Sequence, residues 1–298
     1  MVSKAAIIIV LLLAVTVSLF SDTLTLEYLD GFLELDSGAG WREAQIGDRV
    51  PAEAYVRLEQ GGIAEFSGAD ITVTISQEGT FLLKDLMKAA SEVSSWGIGS
   101  LINSRLKTLS GEKQVSQEAV MGVRGAASDE QELTWMDWEG DEDPKERGEN
   151  LLEEGRYDEA GEAFQEAYEL CFDNEEKEEL LYNIACAYSL GGRNAQALAI
   201  LSGINPGSGK AYYHNFVLLK GNLLLEVLSF RQALDLFDSY LRGAPEGEAA
   251  QAVHFLSFFC YQQLGLEEKA LQALSAAVRL DASSDIGNRA ERMLDERK

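Results

Sequence analysis

Two domains of different class are predicted, an all-β sandwich or barrel-like module followed by an all-α solenoid of stacked helix pairs. Three observations predict them. From Asp22 to about Leu83, short alternating segments are punctuated by glycine. From residue 144 onward, small and apolar residues recur at three- and four-residue steps, the spacing of one helix face. Within that second half, four twelve-residue stretches align without gaps. Their shared alanines, Ala160, Ala197, Ala233 and Ala270, lie 37, 36 and 37 residues apart. A chain of 298 residues with 46% hydrophobic content is long enough for two cores and far from a disordered composition.

The elements follow in order. Residues 1–21 read as a secretory signal: Lys4 supplies the positive start, Ala5 to Val17 an uncharged apolar stretch, and Ser18 and Ser21 small residues at a cleavage point. Cleavage near Ser21 is expected, leaving no stable membrane span. The alternative is an uncleaved anchor, since the apolar run extends through Phe20. With no cysteine nearby, a lipid anchor has no attachment atom. Residues 22–128 form the β-rich domain. "TLTLEYL", "GFLELDSG", "AYVRLEQGG", "IAEFSGAD" and "ITVTISQEG" read as successive strands without intervening helices, hence antiparallel. Gly47-Asp48 suits a tight turn, and Trp41 a sandwich core or a sheet edge. Residues 84–109 switch to helical spacing, a short insertion interrupted by Gly97 and Gly99. Residues 129–143 make an acidic linker holding Trp135 and Trp138.

The stretch from Gly31 to Ile75 resembles the FecR domain family, an extracytoplasmic β-rich module of bacteria. The resemblance rests on a glycine-led strand before Trp41, then Gly47-Asp48, a strand carrying Arg57, Gly62-Ile63-Ala64, and the later "GVRGA" of Gly122 to Ala126. The usual Asp-Gly turn is replaced here by Gly68-Ala69-Asp70. The resemblance implies a periplasmic or otherwise extracytoplasmic location in the cell envelope. Arg124 is expected to bond carbonyls in the fold, the alternative being a ligand contact.

Residues 144–298 resemble tetratricopeptide repeats (TPR), four helix pairs plus a capping helix at 285–297. Gly148, Tyr157, Ala160, Phe164 and Ala167 match in the first repeat. Ala185, Tyr188 and Ala197 match in the second, Gly221, Ala233, Phe237 and Pro245 in the third, and Tyr261, Ala270, Leu274 and Ala277 in the fourth. Small residues let paired helices approach, while Phe164, Leu201, Phe237 and Leu274 fill the space toward the next repeat. Gly155, Gly192 and Gly265 occupy equivalent turns, with Leu228 as the exception. The resemblance implies a protein-binding groove lined by Glu149, Glu153, Glu179, Tyr182, Asn215, Leu218, Asn222, Phe255, Phe259 and Gln262. Glu149 stands where carboxylate-clamping relatives carry asparagine, which disfavours a C-terminal carboxylate ligand. The alternative is a groove closed by the protein's own cap.

Charge and chemistry narrow the function. With 50 acidic against 25 basic residues, a net charge of −25 repels phosphate backbones, so no nucleic-acid partner is expected. Cys171, Cys186 and Cys260 make an odd count with no zinc spacing. Free buried thiols are expected in preference to a Cys171–Cys186 bridge. His214 and His254 sit alone in helical patterns. In "PGSGK", Ile204 stands where a phosphate loop needs glycine and Ala211 where it needs a hydroxyl, so an inter-repeat turn is expected. No enzyme, cofactor or metal is expected. The reading is an exported, non-catalytic adaptor that binds a protein partner, a basic or apolar segment, through the groove. The alternative is an envelope structural or glycan-binding protein whose β domain holds cell-wall glycan.

Overall fold

A computed structural model describes residues 23–95 and 143–297. The expectations for residues 1–21, Gly97, Gly99, Gly122–Ala126, Trp135 and Trp138 lie outside the described residues.

Eight strands build the first module: β1 (Thr23–Asp30), β2 (Leu33–Asp36), β3 (Arg42–Glu43), β4 (Arg49–Pro51), β5 (Tyr55–Leu58), β6 (Ile63–Ser67), β7 (Thr72–Ile75) and β8 (Gly79–Leu82). They form two four-stranded antiparallel sheets, ordered β4-β1-β6-β7 and β3-β2-β5-β8. Among the described residues no pairing joins the sheets, so the module is a sandwich and not a closed barrel. Leu24, Leu26, Phe66 and Val73 of one sheet bury against Leu33, Leu35, Val56 and Leu58 of the other. Helix α1 (Leu83–Ser95) follows and packs against β7 and β8. β3, β4 and β8 were not expected; β3 and β4, at two and three residues, are too short to show an alternating period, and β8 begins at Gly79, which reads as a turn.

A β-bulge decides what the first sheet shows outward. Leu24 and Leu26 point into the sandwich, but the register shifts between Leu26 and Tyr28. Tyr28 then pairs with Glu65 and Leu29 with Ala64, so Leu29 regains the core and Tyr28 turns to the outer face. That face meets the helical half.

The helices pair as α2 (Pro144–Glu153) with α3 (Tyr157–Leu170), α4 (Asn174–Leu190) with α5 (Asn194–Gly203), α6 (Tyr213–Glu226) with α7 (Phe230–Leu241), and α8 (Glu248–Gln263) with α9 (Glu267–Leu280); α10 (Asp285–Asp295) closes the stack. Asp143, placed in the linker from sequence, caps α2 by accepting from the Lys145 amide at 3.1 Å. Ala160, Ala197, Ala233 and Ala270 are each 0% exposed. Each amide donates to the carbonyl four residues back, at 2.9 to 3.0 Å. The turns repeat as closely. Arg156, Arg193, Ser229 and Leu266 donate to Leu151, Tyr188, Leu224 and Tyr261, the six-to-one bond that ends a helix when the preceding residue is left-handed. Gly155, Gly192 and Gly265 supply that conformation at φ +77°, +80° and +70°; in the third repeat Leu228 adopts it at φ +59°.

Close approach within pairs explains the remaining small residues. A Cβ added to Gly148 would lie 2.7 Å from the Phe164 ring, and one on Gly221 would lie 2.2 Å from Phe237. At the far end Gln251 donates to Ala277 O at 2.9 Å and accepts from the Ser284 hydroxyl at 2.8 Å, while Ser284 caps α10 through the Gly287 amide. The terminal helix is thereby pinned to the fourth pair. The cysteines are free; Cys186 and Cys260 are buried, whereas Cys171 is half-exposed and only partly meets the expectation of a buried thiol. Residues 206–210 form the expected turn, with Lys210 reaching Glu175 at 2.6 Å.

Candidate protein-binding surface

The ten groove residues divide by burial. Glu149, Glu153 and Gln262 are exposed, and Glu179 and Asn215 half-buried. Tyr182, Leu218, Asn222, Phe255 and Phe259 are buried, between 1% and 5% exposed. Tyr182 stacks on Tyr212 with ring centroids 4.9 Å apart. Phe255 and Phe259 meet edge to face at 5.2 Å, and Arg289 of α10 lies over the Phe255 ring. Asn222 donates to Glu226 at 2.8 Å. These five act in packing between helices and present no free face in this arrangement.

At the first two pairs, what stays accessible is acidic. Lys145 bonds Glu179 at 3.1 Å across the first two pairs, and the Tyr212 hydroxyl donates to Glu178 at 2.9 Å. Glu175 and Glu176 stand on the same first turn of α4, their amides held by Asp173 at 2.8 and 3.0 Å. Beside them the turn between α3 and α4 carries Phe172, 97% exposed, and the last residue of α3, Leu170, is 61% exposed. Phe172 falls in the extra residues that lengthen this repeat, and its exposure had no counterpart in the sequence reading.

The second site is the junction of the two modules. Ser76 and Ser229 share a hydroxyl hydrogen bond of 3.1 Å, and the Gln77 amide donates to Leu228 O at 2.8 Å. The one turn without glycine is thus the turn gripped by the β module. Glu65 accepts from the Ala195 amide and from the Thr74 hydroxyl, both at 3.3 Å. Ala195 lies in the first turn of α5, whose own N-cap Arg193 makes no side-chain cap bond. A carboxylate from the other module therefore supplies a helix cap. Glu226 sits beside it, receiving Asn194 at 2.6 Å as well as Asn222. Burial pushes the Glu226 carboxyl up to about 7, and the Glu65 charge adds to the effect against the amide hydrogen bonds. Burial also raises Glu65. Ile63 and Tyr28 join the apolar core of the helical half. A cleft of about 790 Å³ runs along this junction, lined among others by Gly61, Gln77, Ser202, Leu228, Arg231 and Gln232.

On the opposite sheet, Trp41 is 37% exposed and Arg57 lies over its ring at 3.9 Å while pairing with Glu34 at 3.0 Å. Of the two settings open to Trp41 from sequence, the sheet edge is the one observed. No helix among the described residues is long and apolar enough to cross a membrane.

Compared with known proteins, the chain matches no curated protein. Residues 151–217 match the tetratricopeptide repeat family, a span running from α2 into α6 that supports the repeat reading of the helical half and does not reach the β module.

Proposed function

We propose that this protein is a non-catalytic interaction scaffold whose helical half binds a basic protein segment at its first two repeats. The observation that carries the reading is the accessible acidic surface of Glu149, Glu153 and Glu179, set on a stack of four equivalent helix pairs. The net charge of −25 favours a cationic partner by long-range attraction. Phe172 offers an apolar anchor just before the helix turn that carries Glu175 and Glu176. The apolar groove residues are consumed by packing, so of the two segment types considered the basic one fits. The order of glycine and tryptophan motifs supports a FecR-like identity for the β module, and the N-terminal pattern supports export to a bacterial envelope. Crosslinking in intact cells tests the scaffold reading. Full-length protein captures a discrete partner, and Glu149→Lys/Glu153→Lys/Glu179→Lys loses it. Capture of the same proteins by both would overturn the reading.

A second reading, in which the β module holds cell-wall glycan, draws on the exposed Trp41 ring beside Arg57 and Glu34, since indole faces stack on sugars as they do on other flat apolar surfaces.

A further inference from the structure

The junction gathers two carboxyl groups from different modules around the start of one helix. Glu65 reaches the amide of Ala195 and Glu226 reaches the side chain of Asn194, so consecutive residues hold them. Among the described residues neither carboxyl has a cationic partner. We propose that the Glu65–Glu226 pair makes the seating of the β module on the solenoid pH-dependent, acid tightening the contact and alkali loosening it.

The groups around the pair are few. Facing Glu65 are Glu27 and Tyr28 of β1, the Thr74 hydroxyl of β7 and Glu226 of α6. Facing Glu226 are Asn222, Asn194 and Glu65. Helices α1, α5, α7 and α8 pack on α6, and α5 carries no charged residue. Of their charged residues, α1 brings Lys84, which pairs with Glu53, and Asp85, Lys88 and Glu92. α7 brings Arg231, Asp235 and Asp238, and α8 brings Glu248 and His254. None of these figures among the forces that shift Glu226.

The sign follows from linkage. Docked, Glu226 titrates near 7 in place of the ordinary 4.5, because burial and the neighbouring Glu65 both oppose its charge. Undocking removes Glu65 and part of the cover, which lowers that value. Docking therefore takes up a proton. It is fully supported below the undocked value and loses support as pH rises through the docked one, by at most about tenfold per pH unit for one proton. This device is independent of which partner the scaffold binds.

Hydrogen exchange in the full chain reads the docking equilibrium. The Ala195 amide has no acceptor within its own helix and bonds Glu65, so its exchange follows undocking. After correction for the intrinsic rate, its protection should fall several-fold to tenfold per unit between about pH 5 and 7, while the Ala160 and Ala270 amides inside the repeats hold steady. Glu226→Gln should flatten the dependence. If that variant fails to protect Ala160, Glu226→Met, which also removes the titrating carboxyl, provides the same comparison, and a slope kept in it counts equally against the proposal. Ala195 protection that ignores pH, that changes in parallel with Ala160 and Ala270, or that keeps its slope in a folded glutamine variant would overturn the proposal.

Discussion

At Gly192 the backbone sits at φ +80°, and an added methyl group would meet nothing within 4 Å. Substitution there isolates the cost of the left-handed turn from any packing effect. Gly192→Ala should destabilise the protein by about 1 kcal/mol, read from the midpoint of urea unfolding. A neutral result would mean that the fourfold turn is not strained in the way its dihedrals imply. The same turn in the third repeat is built on Leu228 at φ +59°, and its carbonyl accepts from Gln77 of the β module. The break in the glycine pattern was visible in the sequence. Its meaning was not, because nothing local says which surface a strained turn serves. Leu228 is a case where a departure from the repeat marks a long-range contact.

Helix α5 shows how elements lean on one another. Its first turn is capped by Glu65 from the β module. Near its other end the half-buried Lys220 ammonium donates to Leu201 O at 2.8 Å. Negative charge at the start and positive charge at the end both complement the helix dipole. Within pairs, contact is decided by volume. Gly221→Ala should cost about 1–3 kcal/mol, because its Cβ would fall 2.2 Å from the Phe237 ring. Adding Phe237→Leu should recover part of that loss, and a double-mutant cycle in thermal unfolding measures the coupling. Additive losses would place the two residues out of contact. The helix pairs were legible from alanines and glycines at fixed spacing, since each repeat packs by local rules. The five buried groove residues were not. Tyr182, Leu218, Asn222, Phe255 and Phe259 lie on helices that repeats of this type use for ligands, but their burial depends on neighbouring helices that no single repeat encodes. On the β side, the alternating strands between glycine turns were readable, whereas the bulge that turns Tyr28 toward the solenoid depends on its pairing with β6.

Across the whole molecule, the β sandwich spends one sheet face on the helix turns of the middle repeats and leaves the acidic flank of the first two repeats open. The glutamates of this chain accordingly have two roles. Glu65 bonds the β module to α5 with Glu226 buried beside it, and Glu149, Glu153 and Glu179 form the surface proposed for a partner. Carboxyl footprinting of the full chain, alone and in the complex crosslinked from cells, separates the two sets directly. The account predicts that Glu65 and Glu226 are protected in both samples, while Glu149, Glu153 and Glu179 are modified in the free protein and shielded in the complex. Equal modification of those three glutamates in both samples, or ready modification of Glu65 and Glu226 in the free chain, would contradict it.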